Sequence, residues 1–254
     1  MQTDIKLNCG SGARMLDLAD ESVQLVVTGP PYFSEGIEPL LRKGVDDSAD
    51  LNALEVDIET FSLSLRPVFQ ECHRVLAPGG RLIVQTRDVR LRHLLVPVEG
   101  LHRQMIEAIG LKLYTRYLWR PRFVTMARRR ATAALAANLG PAPFDPEVFL
   151  VFWKPGQFRN GNPTPGDLEL LSQDIISTVP GRLPAQHRFQ SPLPLLKALI
   201  RAHSRPGDLV ADPFAGGGSV LYVARELGRS AWGCEIDAKT LALAKINLGF
   251  NRRP

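Results

Sequence analysis

The chain has 254 residues, 44% of them apolar, and a formal charge of +5, with a pI near 9.3. This is enough for one large domain, or a domain with an insertion, around a core of its own. Cys9, Cys72 and Cys234 lie far apart with no CxxC pair, which argues against a structural zinc site and a disulfide framework and suits a reducing compartment. No apolar run approaches the length of a membrane span and no signal-peptide pattern opens the chain, so a cytoplasmic protein without a membrane partner is expected. The basic residues are 24 Arg against 7 Lys. Arginine forks onto phosphate and stacks on bases, which leans toward nucleic acid. The charge alone is equally that of a merely basic soluble protein.

In chain order, IKLNC (5–9) and VQLVVT (23–28) read as strands, the second buried. From Phe61 to Leu76 the apolar residues fall at helical spacing. Pro78-Gly79-Gly80 is expected to stop that helix, and RLIVQT (81–86) to follow as a strand. Residues 97–109 read as helix, and KLYTRYLW (112–119) and VFLVFW (148–153) as strands. A Gly-, Pro- and Asn-rich stretch follows Trp153, and 157–185 looks like an insertion. Ser191 is expected to cap a helix whose apolar face is Leu195, Leu196, Leu199 and Ile200. DLVADPF (208–214) reads as strand into turn, Gly217 to Leu227 as helix, SAWGCE (230–235) as strand, and Ala238 to Leu248 as helix. The alternation predicts an α/β protein with a mostly parallel sheet and helices on both faces. Ligands in such sheets sit beyond the carboxyl ends of strands, where two unusual turns fall.

The first of these to carry a ligand signature is DPFAGGGS (212–219). Glycines let backbone approach a ligand closely, and the following helix starts with free N–H groups at Ser219. Glu235 comes at the end of the next strand, where a carboxylate can take both ribose hydroxyls. The competing account is a tight turn that needs glycine for packing. GGGS is not GxGxxG, so an adenosine cofactor without phosphates fits better than a dinucleotide, and a nicotinamide-dependent oxidoreductase is disfavoured.

The other turn, TGPPYF (28–33), is rigid and rich in acceptors. Proline lacks an N–H and has a fixed φ, so Gly29-Pro30-Pro31 presents carbonyl oxygens in a stiff array beside the flat face of Tyr32. Such an array suits a planar ligand with an amino group. The amino nitrogen of cytosine or adenine is a poor nucleophile because its lone pair is conjugated with the ring. Two acceptors gripping its hydrogens favour a tetrahedral nitrogen and free that pair, with no metal required. The base must first leave its duplex stack.

TGPPYF, PGGRLIVQT, EVFLVFWKPG, HRFQSPLPLLKALI and DPFAGGGS, in this order, resemble the amino-group DNA methyltransferases of the permuted beta class, the cytosine-N4 and adenine-N6 enzymes. The resemblance covers the chain apart from residues 33–57, 120–145 and 157–185. It implies a three-layer, circularly permuted, Rossmann-like methyltransferase fold and S-adenosylmethionine as cofactor. Residues 1–156 would be the catalytic half, 157–185 a small candidate target-recognition region, and 186–254 the cofactor-binding half. Pro30 would offer its carbonyl to the target amino group and Tyr32 would stack on the base. Asp212, Phe214, Ala215, Gly216 and Gly218 would shape the methionine side of the pocket, Ser219 would open the helix behind it, and Glu235 would hold the ribose. The segment from His187 to Leu196 would close over the methionine moiety. Double-stranded DNA is the implied partner, with a homodimer and a companion restriction enzyme allowed.

Three departures from the family stand out. The residue before Pro-Pro-Tyr is usually Asp, Asn or Ser, whose side chain takes the second amino hydrogen; here it is Gly29. The flanking VVTxPPYF is most like the Ser version, which favours cytosine-N4, and the hypothesis follows that Gly29 weakens the chemical step. Cys9-Gly10 stands where a Gly-Asp pair is common, and Ser191 stands where Lys is frequent. Alternatives are an adenine-N6 enzyme, an RNA amino methyltransferase and a catalytically weak DNA-binding subunit of the same fold.

Between Leu111 and Phe144 no acidic residue occurs. The same stretch carries Lys112, Arg116, Arg120, Arg122, Arg128, Arg129 and Arg130, a pattern suited to salt-dependent phosphate binding. The competing account is a solvated loop. Residues 35–59 are acidic instead. His73, His93, His102 and His203 show no metal-ligand spacing.

Overall fold

A computed structural model describes residues 3–31, 48–91, 94–120, 146–178, 183–185 and 191–250, with backbone alone at 48–56, 90, 91 and 94. In chain order the elements are β1 (Ile5–Cys9), β2 (Val23–Thr28), α1 (Ser48–Val75), β3 (Leu76–Thr86), β4 (Val89–Leu91), β5 (Leu94–Val96), α2 (Val98–Ala108), β6 (Lys112–Trp119), β7 (Glu147–Trp153), α3 (Pro165–Leu171), α4 (Leu193–His203), β8 (Leu209–Asp212), α5 (Ser219–Glu226), β9 (Ser230–Glu235) and α6 (Ala238–Asn247). Among the described residues the main sheet has seven strands in the order β1-β9-β8-β2-β3-β7-β6, and β4 and β5 form a separate hairpin. From β1 to β3 neighbours run parallel, while β7 is antiparallel to β3 and β6 is antiparallel to β7. The expected mostly parallel α/β fold is therefore present, with one reversed strand.

Successive side chains of a strand point to opposite faces, and this sheet is buried on both. On one face Val26, Leu82, Val84 and Phe152 pack with Val68, Phe69 and Cys72 of α1 and Ile106 of α2. On the other, Leu25, Val27, Ile83 and Val151 pack with Leu195 and Leu199 of α4 and Leu221 and Ala224 of α5. This double burial explains why β2 and β3 read as continuous apolar runs rather than alternating ones. The result is three layers, helix on sheet on helix.

Pro78-Gly79-Gly80 does not end the helix as expected. The helix stops at Val75, and the strand starts at Leu76 and runs through the Pro-Gly-Gly. Local breaking signals yield here to pairing: Gly79 N–H donates to the Lys154 carbonyl at 2.9 Å, and Lys154 N–H donates to the Gly80 carbonyl at 3.0 Å. The Lys154 ammonium in turn caps the end of α1, donating to the carbonyls of His73 at 2.9 Å and Leu76 at 2.7 Å, where the helix dipole favours a cation. Helix α1 also starts earlier than its apolar pattern and carries Pro67 within it.

The segment after Trp153 is tied into the domain. Helix α3 opens on a capping box between Thr164 and Asp167, and Asp167 forms an ion pair with Arg201 of α4 at 3.1 Å. Ile176, fully buried, exchanges backbone hydrogen bonds with Leu118 and Arg120 at 2.8 Å each. It thereby shields the end of β6 from water and from stray pairing.

Gly79 has φ +83°, and a Cβ there would lie 1.9 Å from the Gln157 carbonyl oxygen. Gly79→Ala should therefore lower stability by roughly 2 kcal/mol or more, measured by chemical denaturation, with no change in the slope of the transition.

Candidate active site

Strands β2 and β8 lie side by side at the centre of the sheet, with Leu25 beside Val210 and Val26 beside Ala211. From β8 the chain crosses to β9 on one side; from β2 it crosses to β3 on the other. The crevice beyond their carboxyl ends is where α/β sheets bind ligands. Both unusual turns meet there. The Thr28 hydroxyl donates to Asp212 Oδ1 at 2.7 Å, joining positions 184 residues apart.

A cavity of about 400 Å³ opens at this point. One wall is Gly29, Pro30 and Pro31. Asp212 to Gly217 and Ser219 also line the cavity, as do Glu235 at the end of β9 and the next two residues, Ile236 and Asp237. Gly10, Ser11 and Gly12 close the β1 side, and Gln85 of β3 and Ser191 before α4 close the other. Gly12 approaches so closely that a Cβ there would lie 2.6 Å from the Pro213 ring, which brings the β1 turn against the glycine turn.

Two of the carboxylates lining this space, Glu235 and Asp212, are held in different ways. Glu235 accepts from the Gly216 N–H at 2.9 Å and the Asp237 N–H at 2.8 Å, one on each oxygen. Its carboxylate is fixed across the glycine turn. Asp212 Oδ1 accepts from Thr28 and from the Phe214 N–H at 3.1 Å. Burial pushes its pKa up to about 7; the bonds from Thr28 and Phe214 pull down, and the nearby Glu235 charge adds to the rise. Desolvation disfavours the ionised form, so Asp212 changes charge near neutrality. Cys234 lies behind this pair, its thiol pushed up to about 12, chiefly by burial.

Gly29, Pro30, Pro31, Asp212, Phe214, Ala215, Gly216, Ser219 and Glu235 all line the one cavity. Gly218 does not line it. With φ +80°, it opens α5, and a Cβ there would crowd Ala244 of α6 at 3.3 Å. Arg120 is exposed just past the end of β6. Because β6 runs parallel to β3, this end lies on the same edge of the sheet as the cavity. Tyr32, His187, Arg122, Arg128, Arg129 and Arg130 lie outside the described residues. Arg116 of the basic stretch is paired with Glu99 at 3.2 Å.

Ser191 does not cap α4 as expected. Pro192 takes the N-cap position with no side-chain bond, and the Ser191 hydroxyl donates to Gln85 Oε1 at 2.7 Å. Gln85, Gly12 and Ile236 are lining residues that sequence reasoning missed. Ile236 is 73% exposed, and an apolar side chain directly after a candidate ribose carboxylate was the signal available for it.

Thr28→Val should leave Asp212 buried with one donor fewer. Its pKa should then rise further above about 7, read from the pH dependence of the side-chain carboxyl carbon resonance.

Known proteins resemble this chain in sequence and fold. A family model described as DNA methylase, of the N6 and N4 type, matches residues 23–245. The Type II methyltransferase M.MjaI of Methanocaldococcus jannaschii is 26% identical, over 99% of this chain and 93% of that protein. The Type II methyltransferase M.BglII of Bacillus subtilis is also 26% identical, over 91% of this chain and 64% of that protein. Among solved structures, TTHA0409 of Thermus thermophilus, complexed with S-adenosyl-L-methionine, superposes with a TM-score of 0.71 at 26% identity, over 96% of this chain and 93% of that one. The cytosine-N4-specific PvuII DNA methyltransferase shares the fold, with a TM-score of 0.75 at 16% identity, over 100% of this chain and 89% of that one. With the glycine turn and the diproline turn joined across β2 and β8, and the match spanning most of the chain, this protein belongs to the N6/N4 DNA methylase family.

Proposed function

We propose that this chain methylates the exocyclic amino group of a base extruded from double-stranded DNA, with cytosine-N4 favoured, and that S-adenosylmethionine is the methyl donor. The observation that carries the reading is the single cavity shared by the Gly29-Pro30-Pro31 turn and the glycine turn after Asp212.

The residues present fit such a cofactor. A volume of about 400 Å³ lies in the range of small-molecule sites. The described lining residues include no Lys or Arg, which suits an adenosine without phosphates. Asp212 and Glu235 offer negative charge to a cationic ligand, and exposed Ile236 offers an apolar surface to a planar ring. Glu235 would hold the ribose, the turn from Phe214 to Gly217 would follow the methionine portion, and Asp212 would face its positive charge. When bound, S-adenosylmethionine supplies an electrophilic methyl group on a sulfonium.

The protein's own part is to position and to polarise. Proline at 30 and 31 fixes the turn, so the Pro30 carbonyl is in place before a base arrives. Accepting one amino hydrogen there concentrates electron density on the nitrogen where positive charge would develop. The exposure of Arg120 on the same edge of the sheet supports a phosphate contact there. The reading includes 157–185 as the region that reads the target. A homodimer and a companion restriction enzyme are further partners it allows.

The deciding experiment is incubation with labelled S-adenosylmethionine and mixed unmethylated DNA or RNA, followed by mass spectrometry of the nucleosides. N4-methylcytosine in DNA is the expected product. N6-methyladenine would move the assignment to the other base of the family, a labelled RNA nucleoside would move the substrate, and no label would leave a DNA-binding role alone. Arg120→Ala should weaken binding to all DNA sequences alike and reduce the slope of log affinity against log salt by about 1, measured by fluorescence anisotropy across a salt series.

A further inference from the structure

Position 29 lacks the side chain that would accept the second amino hydrogen, and the structure shows what stands beside the gap. Strands β2 and β3 are parallel neighbours with Thr28 beside Val84. One step further, Gly29 comes beside Gln85, and matched residues of parallel strands project to the same face. A Cβ built on Gly29 would accordingly meet only one atom within 4 Å, the Gln85 Cβ at 3.9 Å. Gln85 is 7% exposed and lines the same cavity as Gly29, Pro30 and Pro31.

The orientation of its amide follows from its partners. Gln85 Nε2 donates to Glu147 Oε2 at the start of β7. A carboxylate takes such a bond only from the N–H side of an amide, so the carbonyl oxygen faces away from Glu147. That oxygen receives the Ser191 hydroxyl at 2.7 Å. A carbonyl oxygen has two lone pairs, and one remains. The amide is thus braced at both ends, with no further partner on its oxygen among the described residues, in a side chain that lines the cavity.

We propose that the Gln85 carbonyl is the second acceptor for the target amino group, a catalytic contact supplied from β3 in place of the one Gly29 cannot make. The assignment rests on the amino-methylation reading above. It replaces the expectation that Gly29 leaves the site with one acceptor: the pair is Pro30 O and Gln85 Oε1, and Ser191 and Glu147 are positioning residues that hold the amide.

The test compares four forms of the full-length protein: wild type, Gln85→Met, Gly29→Ser and the double variant. Methionine keeps the length of the side chain and removes the acceptor. In single-turnover methylation of mixed unmethylated genomic DNA, Gln85→Met should slow the chemical step on the order of 10²-fold. Affinity for S-adenosylmethionine, measured by calorimetry, should stay within about threefold. In the Gln85→Met background, Gly29→Ser should restore at least tenfold. A structural role for Gln85 would not give that rescue. A second measurement needs no catalysis. Without cofactor, wild type should prefer a duplex with the modified base over one in which hydrogen replaces its amino group, by roughly fivefold, and Gln85→Met should lose this preference.

A Gln85→Met protein that methylates at the wild-type rate, or that keeps the amino-group preference, overturns the assignment while leaving the methyltransferase reading intact. So does a slow Gln85→Met protein that Gly29→Ser fails to rescue. Absence of methyl transfer by wild type to any DNA overturns both together.

Discussion

The hydrogen bond from Thr28 to Asp212 joins the two halves of the candidate active site. It spans the seam between β2 and β8 and fixes how the diproline turn faces the glycine turn. It is a demanding contact, because Asp212 is buried and would be costly to ionise with fewer donors. The same bond explains why Thr28 does not stand in for the missing side chain at 29. Its hydroxyl is committed to the neighbouring strand, behind the turn.

Around that seam the site is assembled from backbone ends. The termini of β1, β2, β3, β8 and β9 each contribute lining residues, and in each case the sheet register fixes where the contribution falls. Side chains then lock the turns to one another: Glu235 ties the glycine turn to the end of β9, and Gln85 ties β3 to both β7 and the entrance of α4. Five strand ends held this way leave little freedom for the cavity walls. That stiffness suits chemistry which depends on placing acceptors rather than on a proton-carrying side chain.

Much of this was legible in the sequence. Strands β2, β8 and β9 matched their apolar runs, because burial on both faces leaves a local trace in composition; β1 and β6 also matched, although they are edge strands and only partly buried. The two turns were legible because Pro-Pro and Gly-Gly-Gly are costly anywhere except where a backbone needs them. Pro78-Gly79-Gly80 misled, since its breaking signal is local and the pairing with Lys154 that overrides it comes from far along the chain. Ser191 misled for a related reason: a good capping residue was drawn to Gln85 instead. Gln85 left no mark at all. A glutamine ending a strand is ordinary until the register sets it beside Gly29. The short hairpin of β4 and β5 and the capping box of α3 also went unread, being too brief to show a period.

The strand order has a consequence for how the chain comes into being. β2 sits in the middle of the finished sheet, yet its neighbour β8 is encoded nearly two hundred residues later. On a ribosome, β2 and β3 emerge before β8 and leave one long apolar border open until β8 has been translated. Such an uncovered border invites pairing with other nascent chains. The same arrangement makes the closing contacts highly non-local, which slows folding. A permuted order therefore moves the hazard of the fold from the mature enzyme to its biosynthesis, and ties completion of the candidate crevice to β8 and β9, made long after β2.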